Sequence, residues 1–270
     1  IVLAAFLICG PGYGQRKPKI KGNRSVITVD KPLGAFSHLS ITDDLEVELK
    51  SGNNETIRIE ADDNLIDILR FNQESDTLKV SSFYTITGSK TLKLTLTYKS
   101  LSTIRVERGS VISDERINSD EIDLMLLDGS KANLEIGAAL VRLRMDGNAS
   151  SELQITSDSL RVTMAGQSTA FIYSSNPAMD INLSGRASAT LEGAGRSLML
   201  SMTDNSTLKG EDMEVPGITA LLNASAQARV HALEELSYEG RDKSKLFVYG
   251  EPSIRVLGFY DTAELHKAKQ

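Results

Sequence analysis

Val141-Arg-Leu-Arg-Met-Asp-Gly-Asn-Ala-Ser-Ser-Glu-Leu153, Leu160-Arg-Val-Thr-Met-Ala-Gly-Gln-Ser-Thr-Ala-Phe-Ile172 and Met179-Asp-Ile-Asn-Leu-Ser-Gly-Arg-Ala-Ser-Ala-Thr-Leu191 are three lines of one pattern. Each line opens with three apolar residues that alternate with polar ones, turns at a glycine, and resumes alternation through a small residue. The lines start 19 residues apart. Ile122/Leu124/Leu126 precede them, and Leu198/Leu200/Met202, Ile218/Ala220/Leu222, Leu236/Tyr238/Gly240 and Ile254/Val256/Gly258 follow at intervals of 19, 20, 18 and 18. The turn column reads Asp128, Gly147, Gly166, Gly185, Asp204, Ala224, Asp242. Two residues on, only small side chains occur: Ser130, Ala149, Ser168, Ala187, Ser206, Ala226, Ser244.

A fixed period near 19 with two short alternating strands per unit describes stacked coils, because one such unit cannot bury its own apolar face. An antiparallel sandwich also spaces strands by 8–12 residues. It has no reason to repeat side-chain size in matching columns over seven units. The sequence therefore predicts an all-β parallel β-helix (solenoid) with ~19-residue coils. Glycine at the corner permits positive φ and Asp tolerates it. The departures from glycine at Asp204, Ala224 and Asp242 predict less regular later coils. Alternation also runs through Leu45–Leu49, Ile57–Ile59 and Leu92–Tyr98, with a turn at Ser51-Gly-Asn-Asn54 and one short helix expected over Asp63–Arg70, capped by Asp62 or Asp63. The expected organisation is a signal remnant over 1–14, a less regular N-terminal β region over 15–113 continuous with the solenoid, the repeat over 114–260 and a polar tail over 261–270.

Composition narrows the function. The 270 residues include one cysteine, three histidines and no tryptophan, with a net charge of -6. One cysteine excludes a disulfide framework and a Cys-rich zinc site, and no metal or other cofactor is expected. An acidic chain does not suit nucleic acid. Ile1–Cys9 is an unbroken apolar run too short to span a bilayer, which takes about 20 residues. Gly12 and Gly14 stand as small residues before Gln15, so an exported protein cleaved at Gly14–Gln15 is expected, in the periplasm, on the outer membrane surface or secreted. Acylation at Cys9 is the competing reading, and Ile8 sits where that processing wants a small residue. No later stretch approaches a membrane span.

Gly34-Ala-Phe-Ser-His-Leu-Ser-Ile41, Asp44-Leu-Glu-Val-Glu-Leu-Lys-Ser-Gly52 and Ile57-Arg-Ile-Glu-Ala-Asp-Asp-Asn-Leu65, with the recurrent Asp-Gly-Asn-Ala, Ala-Gly-Gln-Ser and Ser-Gly-Arg-Ala units, resemble the DUF2807 family of bacterial autotransporter adhesins, the "head GIN domain". Tyr238-Glu-Gly240 and Gly250-Glu-Pro252 resemble that family's ending. The resemblance covers residues 30 to 260. It implies an envelope-exported β-helix protein and no established activity.

β-helices also host polysaccharide lyases and hydrolases, which need carboxylates clustered on neighbouring coils. The outward columns Asn133, Glu152, Phe171, Thr190, Lys209, Arg229, Phe247 and Asp123, Arg142, Arg161, Asp180, Met199, Thr219, Ser237 carry no two acids on successive coils, so no catalytic residue is assigned. Asp128 and Asp146 each precede a glycine and read as turn residues. Glu211, Asp212 and Glu214 read as an acidic, solvated turn. What stands out is a strip of hydroxyls and amides beside the small column: Asn148, Ser150, Gln167, Thr169, Ser188, Asn205 and Thr207, with Phe171 next to it. Uncharged donors and acceptors at regular spacing suit polyhydroxylated ligands, and an exposed ring stacks on a sugar face. A solvated β-face, in which Thr and Ser serve strand propensity, accounts for the same pattern. The expected partner is a glycan or another envelope component. A polysaccharide-cleaving enzyme and a purely structural envelope protein are the alternatives.

Overall fold

The computed structural model describes residues 17–175 and 177–269. Ile1–Cys9, the Gly14–Gln15 cleavage point and the Cys9 anchor lie outside the described residues. The chain forms a β-solenoid of about nine turns at ~19-residue spacing, with a less regular N-terminal region. Strands Lys131–Met145, Ser150–Met164 and Thr207–Leu222 each pass through most of a coil. They pair in parallel with their neighbours at the intervals the repeat sets: Val141 opposite Ile122, Leu160 opposite Val141 and Met179 opposite Leu160.

Side-chain alternation fixes which columns fill the interior. Ala149, Ser168, Ala187, Ser206, Ala226 and Ser244 are buried, as are Ala170, Ala189, Leu208 and Ala228 one step further in. The corner is a turn whose first central residue has positive φ in every coil, from Asp128 (54°) through Gly166 (68°) to Asp242 (55°). The turn closes on the small column. Ser168 donates its hydroxyl to the Ala165 carbonyl and Ser206 to that of Thr203, each at 2.7 Å. At Ser168 and Ser206 a hydroxyl reaches that carbonyl, and at the alanines a methyl fills the space, while a longer side chain would meet the stacked turn. A Cβ built on Gly166 would approach the Gly147 amide nitrogen and carbonyl oxygen to 2.8 Å, so glycine there is required by space as well as by φ.

The loss of glycine at Asp204, Ala224 and Asp242 does not disturb the corner, which keeps φ between 55° and 62°. Irregularity falls instead on the sides, as register shifts between Gly210 and Glu214, between Val215 and Gly217, and between Tyr238 and Glu239. Glu211, Asp212 and Glu214 accordingly belong to the bulged strand Thr207–Leu222, not to a loop. The shift at Glu239 places Phe259, not Gly258, opposite Gly240. Ile254 and Val256, expected to face inward, are 42% and 52% exposed, because no described strand stacks beyond Ser253–Phe259. The ladder nonetheless continues past residue 260, with Glu264–Lys267 in parallel register on Lys245–Val248.

At the other end the spatial order departs from the chain order. His38–Ile41 lies between Thr77–Ser82 and Thr103–Glu107, parallel to both, and Leu45–Ser51 lies between Leu92–Tyr98 and Gly109–Ile112. Three strands, Val26–Pro32, Thr56–Asp62 and Leu69–Glu74, then close this end in antiparallel pairing. Only Asp63–Ile66 of the expected helix is helical; Leu69 already begins a strand. Asp62 makes no side-chain cap. Its buried carboxylate instead accepts the Lys90 and Thr91 amide hydrogens at 3.0 and 3.4 Å, which removes the incentive to extend the helix. Burial pushes the Asp62 pKa up. The Lys90, Arg24 and Thr91 amides outweigh that and hold it below the usual carboxylate range.

Candidate functional site

Register brings the polar strip together as columns across neighbouring coils. Lys131, Ser150, Thr169, Ser188, Thr207, Gln227 and Lys245 stand in consecutive register, about 4.8 Å apart. The corner column keeps the same spacing through backbone bonds: Gln167 donates to the Gly147 carbonyl and Arg186 to that of Gly166, both at 2.7 Å. None of Asn148, Ser150, Gln167, Thr169, Ser188, Asn205 and Thr207 spends its side chain on another described residue. The second outward column behaves differently. There Arg142 reaches Glu121 at 2.9 Å and Asp123 at 3.4 Å, which holds the guanidinium above its ordinary pKa, and Asn182 donates to Asp180 at 2.9 Å. One face satisfies itself; the other leaves its donors and acceptors to solvent or ligand.

Surface relief divides the expected residues into three groups. Ser150, Thr169 and Phe171 line a hollow that also takes in Ser110, Asn133 and Glu152. Asn148, Gln167 and Asn205 line a shallower depression along the corner, with Arg186 and Asp204. Thr207 lies in a third recess with Gln227 and Phe247. Ser188 lines none of these. Phe171 is half-buried, with its ring shared between the first hollow and a neighbouring one of about 370 Å³ that contains Tyr173, Gln154 and Glu192. Asn133, Glu152 and Phe171 belong to both, so the two form one continuous groove centred on the Phe171 ring.

Tyr173, Gln154 and Glu192 were not among the expected site residues. The outward alternation that picks out Phe171 reaches Tyr173 two residues later on the same strand, and reading that next column finds it. The column runs Glu135, Gln154, Tyr173, Glu192 and, past a bulge, Asp212. It contains two acids on successive coils, Glu192 and Asp212, which neither of the two outward columns read from the sequence does. Asp128 and Asp146 do sit in turns: Asp128 has φ 54°, and Asp146 accepts the Gly147 amide hydrogen at 2.6 Å. Glu211 pairs with Arg229 at 3.5 Å. Among the described residues no group of three or more His, Cys, Asp or Glu side chains converges as metal ligands. Among them, too, no helix is long and apolar enough to cross a membrane.

Residues 35–174 and 141–252 match the family described as "Putative auto-transporter adhesin, head GIN domain" (DUF2807). The chain belongs to the DUF2807 family. No curated protein matches this DUF2807 chain. Its fold is shared by a Parabacteroides distasonis protein described as a putative adhesin (12% identity, TM-score 0.69), which covers 92% of this chain and 100% of its own. A putative adhesin from Parabacteroides merdae is similar at 17% identity and TM-score 0.59, over 93% of this chain and all of that one. A third, described as a putative lipid binding protein from Parabacteroides distasonis, is 16% identical with TM-score 0.63, over 92% of this chain and 100% of that one. At these identities the likeness concerns the DUF2807 fold.

Proposed function

We propose that this DUF2807 chain is an exported, non-catalytic binding module whose groove around Phe171 holds a glycan of the cell envelope or its surroundings. The observation that carries this reading is the half-buried Phe171 ring at the junction of two hollows, bordered by hydroxyl and amide side chains with no protein partner. A pyranose offers both an apolar ring face and a rim of hydroxyls, which matches that pairing. Export is supported by the apolar run Ile1–Cys9 and the small residues at Gly12 and Gly14. Glu152 is exposed and Glu192 partly so. Glycosidase chemistry places one carboxyl in an apolar pocket, and neither glutamate is buried.

A glycan array with the chain from Gln15 onward, followed by calorimetry with Phe171→Ala, tests the reading. Saturable binding that Phe171→Ala weakens by about tenfold, on the scale of a lost ring stack, is the expected result. Release of reducing ends from a bound polysaccharide would replace the binding module with an enzyme. Absence of any glycan binding would leave the groove without this role.

A further inference from the structure

Phe171 and Tyr173 point outward from one strand, two residues apart, and their coil neighbours are not alike. In register, Glu152 flanks Phe171 from the preceding coil, and Glu192 flanks Tyr173 from the following one. Two coil spacings across the sheet, ~9.6 Å, and two residues along the strand, ~6.6 Å, therefore separate a carboxylate on one side of the ring pair from a carboxylate on the other. Glu135 and Asp114 border the same hollow, which no lysine or arginine lines, while Lys131 lines the adjoining one. Glu152, Glu192 and Glu135 form no ion pair with a cation of the described chain, whereas Asp114 lies within the field of Lys93. Some acids elsewhere are held by cations, as Glu48 is by Lys50 and Lys93 and Glu264 by Lys245. The ring-lined hollow is thus aromatic on its floor and negative on both rims. A ring face attracts a cation through its quadrupole, and an adjacent carboxylate adds to the same preference. Neutral sugars exploit the floor only.

Resting on the glycan reading above, we propose that the Phe171–Tyr173 hollow selects saccharides bearing a free, protonated amine. The amino sugar would stack its ring on Phe171 or Tyr173 and direct its ammonium to Glu152 or Glu192. Tyr173 is 48% exposed, so its ring is available without rearrangement.

The test compares oligomers of glucosamine with their fully N-acetylated counterparts of equal length, and with oligolysine, at about pH 5, where sugar amines, less basic than a lysine amine, are protonated. Calorimetry is run on the native chain and on the Glu152→Gln/Glu192→Gln variant, whose fold is checked by its unchanged melting temperature. The glucosamine oligomer is expected to bind about tenfold tighter than the acetylated one, the scale of one hydrogen bond from an ammonium to a carboxylate. The double variant is expected to lose that preference while keeping its affinity for the acetylated oligomer. Equal or tighter binding of the acetylated oligomer overturns the selectivity and leaves the glycan reading standing. Oligolysine binding as tightly as glucosamine oligomers overturns it in favour of a basic peptide. Binding of no oligomer at all overturns both proposals. A preference that survives in the double variant also overturns this one, since the carboxylates would not be its source.

Discussion

The Asp204 carboxylate accepts the amide hydrogen of Gly185, the corner residue one coil earlier, at 2.9 Å. Asp242 does the same for Ala224 at 3.3 Å. The aspartates that interrupt the glycine column therefore tie successive corners together, and Asp is among the residues that accept positive φ at low cost. Ala224 has φ 57° and neither advantage. A non-glycine residue without a local hydrogen bond gives up about 1–2 kcal/mol in that region. Ala224→Gly is expected to raise the melting temperature, and Asp204→Ala to lower it. A differential scanning measurement in which Ala224→Gly is neutral or destabilising would show that the corner stores no strain there.

The interior column should be intolerant of added volume. Ala189 is fully buried between Ala170 and Leu208 in register, whereas Ser188, its neighbour in sequence, faces out. Leu208 itself fits because the next inward residue of its strand is Gly210, so a large residue is matched by an absent one. Ala189 has Leu191 at that position. Ala189→Leu should cost about 1–3 kcal/mol, the range for overpacking a closed core. Ser188→Leu should leave chemical denaturation nearly unchanged. Equal midpoints for the two variants would contradict the assigned register.

Acid should weaken the N-terminal end first. Asp62 titrates below its ordinary value of 3.8 because amide donors outweigh its burial, and Glu48 titrates below 4.5 because Lys93 and Lys50 outweigh the desolvation that acts the other way. A carboxylate whose folded pKa lies below its unfolded value adds stability above the unfolded value and loses it as pH falls toward the folded one. Stability is thus expected to hold from neutral pH down to about 5 and to drop below about 4. Amide protection, with the intrinsic pH dependence of exchange divided out, should fall at Lys90 and Thr91 over that interval before it does at Val162 or Ile181. In Asp62→Asn the protection of these two amides should lose most of its pH dependence. Uniform loss of protection along the solenoid would refute a locally acid-sensitive end.

The repeat half was legible because its coils present one environment in one register. Ala149, Ala187 and Ala226 read as a column since each meets the same turn. The N-terminal half shows clear alternation but no period, and the structure explains why: Thr77–Ser82 and Thr103–Glu107 flank His38–Ile41 on opposite sides, so neighbours in space are separated by unequal lengths of chain. The Asp63–Arg70 helix failed at Leu69, where pairing with Ser82 in an antiparallel ladder overrides a weak local signal. Phe171 is legible from sequence because it is conspicuous in a polar column. Tyr173 and Glu192 belong to the adjacent column, whose character appears only when the coils are aligned one residue pair further.

Binding at the groove should depend unequally on its residues. A hydrogen bond that replaces one to water contributes about 0.5–1.5 kcal/mol, so single changes at Ser150 or Thr169 should shift affinity several-fold at most. Phe171 is different, since water does not substitute for a ring face, and Phe171→Ala should cost more than any of them. Replacing Thr169 and Ser188 together by lysine places two long cationic chains beside the ring and should also lower affinity for neutral glycans. Asp128→Asn and Asp146→Asn serve as controls: both residues sit in turns, away from the ring, and should leave the dissociation constant unchanged. Suppose that binding persisted in Phe171→Ala but failed in either aspartate variant. The ligand would then lie along the corner, beside Asn148 and Gln167, and the ring-centred groove would not be its seat.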